Sequence, residues 1–174
     1  MARRYINELA HQESIDQVFV ASDKQLRPNR AGSLYLQVAL SDRTGSIAAR
    51  LWNAGEAVYK SFDNGDYLHV VGTAQLYQGA MQIIAAKLHK VDPAEVERHL
   101  LTHPAVADCA VVGKQAAAGC FVKAFIVSRS PIEKEQLIGH CQGAMAEFKV
   151  PKAVEFVSEI PRSPLGKILR KYLE

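Results

Sequence analysis

The stretch from Ser33 to Tyr77 constrains this chain most. Leu34, Leu36, Val38 and Leu40 alternate with Tyr35, Gln37, Ala39 and Ser41, the period of two that marks a half-buried strand. Asp42-Arg43-Thr44-Gly45 reads as a turn, with Gly45 supplying a positive φ. The next strand turns Ile47, Ala49 and Leu51 to one side and Ala48, Arg50 and Trp52 to the other. One surface of this hairpin is therefore aliphatic. The opposite surface carries Tyr35, Gln37, Arg50 and Trp52. Rings offer bases a stacking surface and cations meet phosphates, which are the two needs of a single-stranded nucleic-acid site. Trp52 also reads as a core aromatic at a strand end.

Around this hairpin the pattern repeats. A first strand is expected over Gln17–Asp23, with Val18 and Val20 inward and Phe19 outward. A basic loop follows from Lys24 to Ser33, holding Arg27, Pro28, Asn29, Arg30 and Gly32. Asn53 is placed to cap a helix from Ala54 to about Phe62. A fourth strand runs over Tyr67–Ala74, Tyr77-Gln78-Gly79 turns the chain, and a fifth strand runs over Met81–Lys90. Five short strands with one helix between the third and fourth is the order of the OB-fold, a barrel that binds oligonucleotides on strands two and three and their flanking loops. That register gathers Lys24, Arg27, Arg30, Tyr35, Arg50, Trp52 and Tyr77 as candidate nucleic-acid contacts. Arg27 and Arg30 read equally as a solvated loop.

Gly32-Ser33-Leu34-Tyr35-Leu36, Asp42-Arg43-Thr44-Gly45-Ser46-Ile47, Leu51-Trp52-Asn53-Ala54 and Phe62-Asp63-Asn64-Gly65-Asp66 resemble the OB-fold domain of bacterial HD-type 3′-to-5′ exoribonucleases. The resemblance runs from Tyr5 to Val91. It implies contact with single-stranded RNA or DNA. The nuclease chemistry of that family belongs to an HD domain with metal-binding His and Asp, and no such pattern follows here, so hydrolysis is not expected and no metal ligand is assigned.

From Pro93 the grammar changes. Pro93 opens a helix whose face carries Val96, Leu100 and Leu101 and which ends at His103-Pro104. Val106–Val112 reads as a buried strand, Gln115–Gly119 as a loop and Phe121–Val127 as a second strand. Pro131 opens a long amphipathic helix with Leu137, Ile138, Cys141, Met145 and Phe148 on one side, stopped by Lys149-Val150-Pro151. A third strand over Ala153–Val157, a loop from Ile160 to Gly166 and a final helix over Ile168–Tyr172 complete a small α+β unit. The fold class is thus two small domains: an all-β OB-fold barrel over residues 1–91 and a three-stranded α+β domain over residues 92–174.

Pro93-Ala94-Glu95-Val96-Glu97, His103-Pro104-Ala105-Val106, Ala110-Val111-Val112-Gly113, Phe148-Lys149-Val150-Pro151, Glu155-Phe156-Val157 and Pro161-Arg162-Ser163-Pro164-Leu165-Gly166-Lys167-Ile168-Leu169-Arg170 resemble the C-terminal domain of AMP-forming acyl-CoA synthetases and other adenylate-forming enzymes. The resemblance implies that Lys167 is the catalytic lysine that meets the carboxylate and the α-phosphate of ATP during adenylation. A compact ammonium on a flexible stem suits that role; a solvated tail lysine is the alternative. The large domain that holds ATP and the acyl group does not precede this unit, the usual hinge is missing, and Gly119-Cys120 stands where a Gly-Glu or Gly-Gln is usual. No cofactor is expected for the chain alone, and ATP and CoA enter only with a partner adenylating domain.

The surrounding composition is permissive. Net charge is +3 and the pI about 8.8, which allows nucleic-acid binding without requiring it. The cysteines, Cys109, Cys120 and Cys141, are odd in number and lack a Cys-x-x-Cys pair, which argues against a disulfide framework or a zinc site. Free thiols point to a cytoplasmic setting. No leader or membrane-spanning run is read from the sequence. Leu88-His89-Lys90-Val91-Asp92-Pro93 joins the halves without a Gly/Ser linker, in a stretch that suits both families, whether by natural fusion or by recombinant joining. The expectations are a nucleic-acid-binding module fused to a passenger unit, a part of a ligase that supplies Lys167 in trans, or a fusion with neither activity.

Overall fold

The computed structural model describes residues 5–116 and 119–173. Contacts gather them into two compact units, the first of Met1–Val91 with Gln115–Cys120 and the second of Asp92–Lys114 with Phe121–Glu174. The first unit holds β1 (Ser14–Pro28), β2 (Leu34–Asp42), β3 (Gly45–Trp52), the short helix α1 (Glu56–Lys60), β4 (Tyr67–Tyr77) and β5 (Ala80–Lys90). They form a closed barrel in the order β1-β2-β3-β5-β4. β3 and β5 run parallel and the other pairs antiparallel. The long β1 closes the circle, pairing β4 through Ser14–Val20 and β2 through Val20–Pro28. Closure removes the exposed edges that an open sheet carries. Phe19, Leu36, Leu40, Leu68 and Ile83 fill the interior.

β1 runs further than the sequence suggests, and its register explains two errors of facing. Val18 is buried as expected, but Phe19 lies in the core and Val20 is only half-buried, against the expected facing of those two. The segment from Lys24 to Pro28 is strand, not loop, and the loop shrinks to residues 29–33. Between Ser22 and Gln25 β1 advances three residues while β2 advances two, from Ala39 to Gln37. This β-bulge, with Asp23 at φ 47°, flips the parity of everything after it. Leu26 now opposes Leu36, and Gln25 and Arg27 oppose Gln37 and Tyr35.

The turns also differ from their sequence signals. Gly45 is not at positive φ; it is the first residue of β3. The buried carboxylate of Asp42 shapes that turn by accepting from the Thr44 N–H at 2.7 Å, the Thr44 Oγ1 at 2.6 Å and the Ile6 N–H at 2.9 Å. Asn53 caps nothing: it adopts φ 55°, and Gly55 precedes α1. Between β4 and β5, Gln78 and Gly79 take φ 49° and 81°, the doubly positive pair of a type I′ hairpin. A second bulge on β5 brings Gly72 so near that a Cβ there would clash with the Ile84 carbonyl oxygen.

The second unit holds α2 (Pro93–Leu100), β6 (Val106–Ala116), β7 (Gly119–Ser128), α3 (Lys134–Gln142) and β8 (Ala153–Phe156), with single 3-10 turns at Glu147–Lys149 and Arg170–Tyr172. The sheet order is β6-β7-β8, with β7 and β8 parallel. Asp92 caps α2 by accepting from the Ala94 N–H at 3.0 Å, with Pro93 at the first helical position. Val96 and Leu100 are buried, but Leu101 is 47% exposed because α2 stops before it. Gln115 and Ala116 belong to β6 and Gly119 to β7, where a loop was expected over Gln115–Gly119; Ala117 and Ala118 lie outside the described residues. The long helix expected from Pro131 ends at Gln142, ahead of Gly143, which leaves Phe148 in a separate 3-10 turn. The final helix is also absent: Ile168 bridges to Arg162, and only Arg170–Tyr172 coils. Ala110, Val112 and Phe125 of the sheet pack with Ile160 and Leu173 of this last segment. No described helix is long and apolar enough to cross a membrane.

Candidate nucleic-acid interface and lysine loop

The outer face of β1, β2 and β3 carries two adjoining cross-strand rows. Arg27, Tyr35 and Trp52 form one, and Gln25, Gln37 and Arg50 form the next. The Tyr35 and Trp52 rings meet at 4.9 Å between centroids, tilted by 42°, an edge-leaning contact that aromatic quadrupoles favour. Trp52 is 43% exposed, so its ring is not part of the core. The tilt closes the gap between the two rings, so a planar ligand would stack on the open side of Trp52 and not between them. The Nε–H of Arg50 is buried with no hydrogen-bond partner among the described residues.

Other candidates fall elsewhere. Lys24 stands in the β1 bulge, and its ammonium turns away to α1. It donates to the Tyr59 carbonyl at 2.8 Å and to the Phe62 carbonyl, pairs with Asp63 at 3.2 Å, and sits 4.5 Å from the Tyr59 ring centre. It ties the helix to the barrel, with no charge left to offer a phosphate. Arg30 is exposed in the β1–β2 loop, which Asn29 braces by accepting from the Ala31 and Ser33 N–H groups at 2.9 and 3.0 Å. Tyr77 is 50% exposed but stands at the far end of the face. It opposes Ala80, and β5 reaches β3 at Gln82 opposite Ala48, four residues before Trp52. At about 3.3 Å per residue this is on the order of 20 Å along the strands. The structure therefore unites Arg27, Tyr35, Arg50 and Trp52 and leaves Lys24 and Tyr77 out of that group.

In the second unit Lys167 is exposed on a tight loop. Its N–H donates to Ser163 Oγ at 3.2 Å, its carbonyl accepts from the Ser163 N–H at 2.8 Å, and Gly166 before it takes φ 80°. Leu165 at the tip is 96% exposed. Two arginines pin the ends of the loop. Arg162 donates to both Asp108 oxygens at 2.7 and 2.9 Å and to the Gly166 carbonyl at 3.0 Å. Arg170 donates to the Val111 carbonyl at 3.1 Å and to Glu97 at 2.7 Å. Glu97 is buried and also accepts from the Val111 N–H at 2.8 Å. Sequence reading passed over Glu97, although a carboxylate beside Val96 in the buried stripe of a helix is itself a signal of a buried partner.

Burial, then the nearby Glu97 and Asp108 carboxylates, pushes Cys109 up to about 12, and burial pushes Cys141 up to about 11. Among the described residues no three His, Cys, Asp or Glu side chains gather where a metal ion could sit.

Comparison with known proteins divides the chain as its two sheets do. Residues 20–91 match the family model of an OB-fold nucleic acid binding domain, and residues 95–167 match that of an AMP-binding enzyme C-terminal domain. Among curated proteins, the long-chain-fatty-acid–CoA ligase of Escherichia coli O157:H7 is 31% identical over 87% of this chain and 28% of its own length. A mitochondrial acyl-coenzyme A synthetase of Homo sapiens is 46% identical over 52% of this chain and 17% of its own. Among solved structures, the o-succinylbenzoate CoA synthetase of Bacillus subtilis is 23% identical with a TM-score of 0.47, covering 87% of this chain and 34% of that one. The chain spans less than a third of the length of these curated relatives, 28% of the first. The second unit is related to the C-terminal domains of acyl-CoA ligases, and the first carries an OB-fold.

Proposed function

We propose that the barrel binds single-stranded RNA or DNA on the outer face of β2 and β3. The observation that carries this reading is the Tyr35–Trp52 pair, half-exposed on a rigid sheet, with Arg27 opposite Tyr35 and Arg50 in the adjoining row. A base stacks on Trp52 and the arginines meet phosphates. The match to an OB-fold nucleic acid binding family and the mildly basic charge support it. The resemblance to exoribonuclease OB domains fits the same reading and adds no hydrolytic step to it. A cytoplasmic setting agrees with the two buried free thiols.

The test is a titration with oligo-rU, oligo-rA and oligo-dT at several salt concentrations, read by fluorescence of the single tryptophan. Trp52→Ala, followed by anisotropy of labelled oligonucleotide, should weaken binding by roughly 1–3 kcal/mol and keep the salt slope. Arg27→Ala with Arg50→Ala should flatten the slope by about 0.7 for each phosphate no longer neutralised. A folded protein that binds none of the three at low salt overturns the reading.

A second reading concerns Lys167, and the double arginine anchorage of its loop favours it. The unit supplies this lysine to a separate adenylating domain, which brings the ATP, the CoA and the acyl group. Acyl-CoA formation by a ligase stripped of its C-terminal domain should then recover on adding this chain and fail with Lys167→Ala.

A further inference from the structure

We propose that Asp23 and Gln25 are positioning residues that hold the Arg27 guanidinium in place beside the Tyr35–Trp52 pair for contact with a phosphate. The inference rests on the nucleic-acid reading above and adds to it the residues that organise the cation.

The bulge in β1 is the first part of the device. Without the extra residue, Lys24 and Leu26 would share the outer face and Arg27 would point into the barrel. With it, Gln25 and Arg27 emerge on the same face as Gln37 and Tyr35. Pro28 follows and keeps Arg27 in an extended backbone conformation. The second part is a directed chain of hydrogen bonds. Asp23 Oδ1 accepts from Gln25 Nε2 at 2.8 Å. That bond fixes which end of the amide faces Arg27, because a carboxylate can only accept. The Gln25 Oε1 then accepts from Arg27 Nε at 2.9 Å and from its Nη2. Two of the five guanidinium N–H groups are engaged and three are left.

The identity of the holder matters. A carboxylate at position 25 would grip the same fork and cancel its charge. The neutral amide grips it and leaves the charge whole for an anion. A planar fork held in this way loses less freedom on binding than a loose one. Lys24, the other cation of the bulge, is spent on α1, so Arg27 carries the charge of this strand.

The test is a salt-dependent titration of oligo-dT with the full chain and its variants, with melting temperatures measured alongside. Gln25→Ala frees the guanidinium without removing its charge, so the dissociation constant should rise roughly 2- to 12-fold with the salt slope unchanged. Gln25→Glu keeps the length and the fork but neutralises the charge, so its slope should fall by about 0.7, as in Arg27→Ala. Asp23→Ala should behave as Gln25→Ala, with a smaller rise. Binding that weakens in Arg27→Ala and is unchanged in Gln25→Ala would overturn the inference and leave the nucleic-acid reading standing. The inference fails equally if both Gln25 variants lower the melting temperature alone, or if Arg27→Ala binds normally. An unaltered protein that binds no oligonucleotide defeats the reading and this inference together.

Discussion

Trp52 of the barrel and Lys167 of the second unit are both exposed, yet they are held in different ways. Trp52 ends a strand whose neighbours on both sides are fixed by ladder bonds, and its ring leans on Tyr35. A ligand meeting it finds the surface already in place, with little ordering left to do. Lys167 lies on a loop tied at its ends by Arg162 and Arg170, while its tip carries the almost bare Leu165. Its long stem keeps rotamer freedom that a partner must remove. Lys24 is a third case, a lysine whose ammonium is fully employed within the fold. A platform suits a flexible strand that drapes over it. A tethered cation suits delivery into a site formed elsewhere.

The contrast can be tested through a probe in each unit, the single tryptophan in the barrel and Cys109 and Cys141 in the second. The largest effect is expected at Gly72. A methyl group there meets the Ile84 carbonyl and the Ala85 Cα, so Gly72→Ala should lower barrel stability by about 3 kcal/mol. Denaturant melts should show it as an earlier Trp52 fluorescence transition, with the thiols of Cys109 and Cys141 still protected. If both signals move together, the two units do not unfold separately.

A smaller effect is expected at Glu97. Glu97→Ala strips the buried Val111 N–H and Arg170 of their acceptor and should cost the second unit about 2 kcal/mol. Thiol labelling at pH 8 is the measurement. Cys109 and Cys141 are buried in the native protein, so their labelling follows opening of that unit. Faster labelling with an unchanged Trp52 transition is the expected outcome. Unchanged labelling would show that the Arg170 anchor contributes nothing to the unit.

The smallest effect concerns Glu155, whose carboxyl is held below its ordinary 4.5 by a hydrogen bond from Lys123 and then by its charge. The ammonium is 2.7 Å away. A lowered carboxyl stabilises the fold above pH 4.5 and loses that contribution as pH falls through the lower folded value. An NMR titration should place the Glu155 midpoint below 4.5 in the native chain and near it in Lys123→Met. Equal midpoints would dismiss the pair.

Much of the architecture was written in the sequence because it depends on short-range periodicity. The alternation from Leu36 to Leu40 and from Ile47 to Leu51 marks two strands whose Tyr35, Gln37, Arg50 and Trp52 share a face, and they do share it. The Gln78-Gly79 hairpin and the Asp92-Pro93 helix start follow from backbone preferences of single residues. Tertiary structure decided what periodicity cannot carry. One extra residue at Asp23–Lys24 reversed the facing of Gln25, Leu26 and Arg27, because side-chain direction in a strand depends on a count that a bulge resets. Lys24 and Arg27 look alike as basic residues of one stretch. Only the packing of α1 against β1 consumed the first, and only the pairing with β2 set the second beside an aromatic pair. The same holds for Glu97 and Arg170, 73 residues apart in the chain. Their bond exists because β6 brings the middle of α2 and the 3-10 turn at Arg170 to the N–H and carbonyl of Val111, a proximity no local pattern encodes.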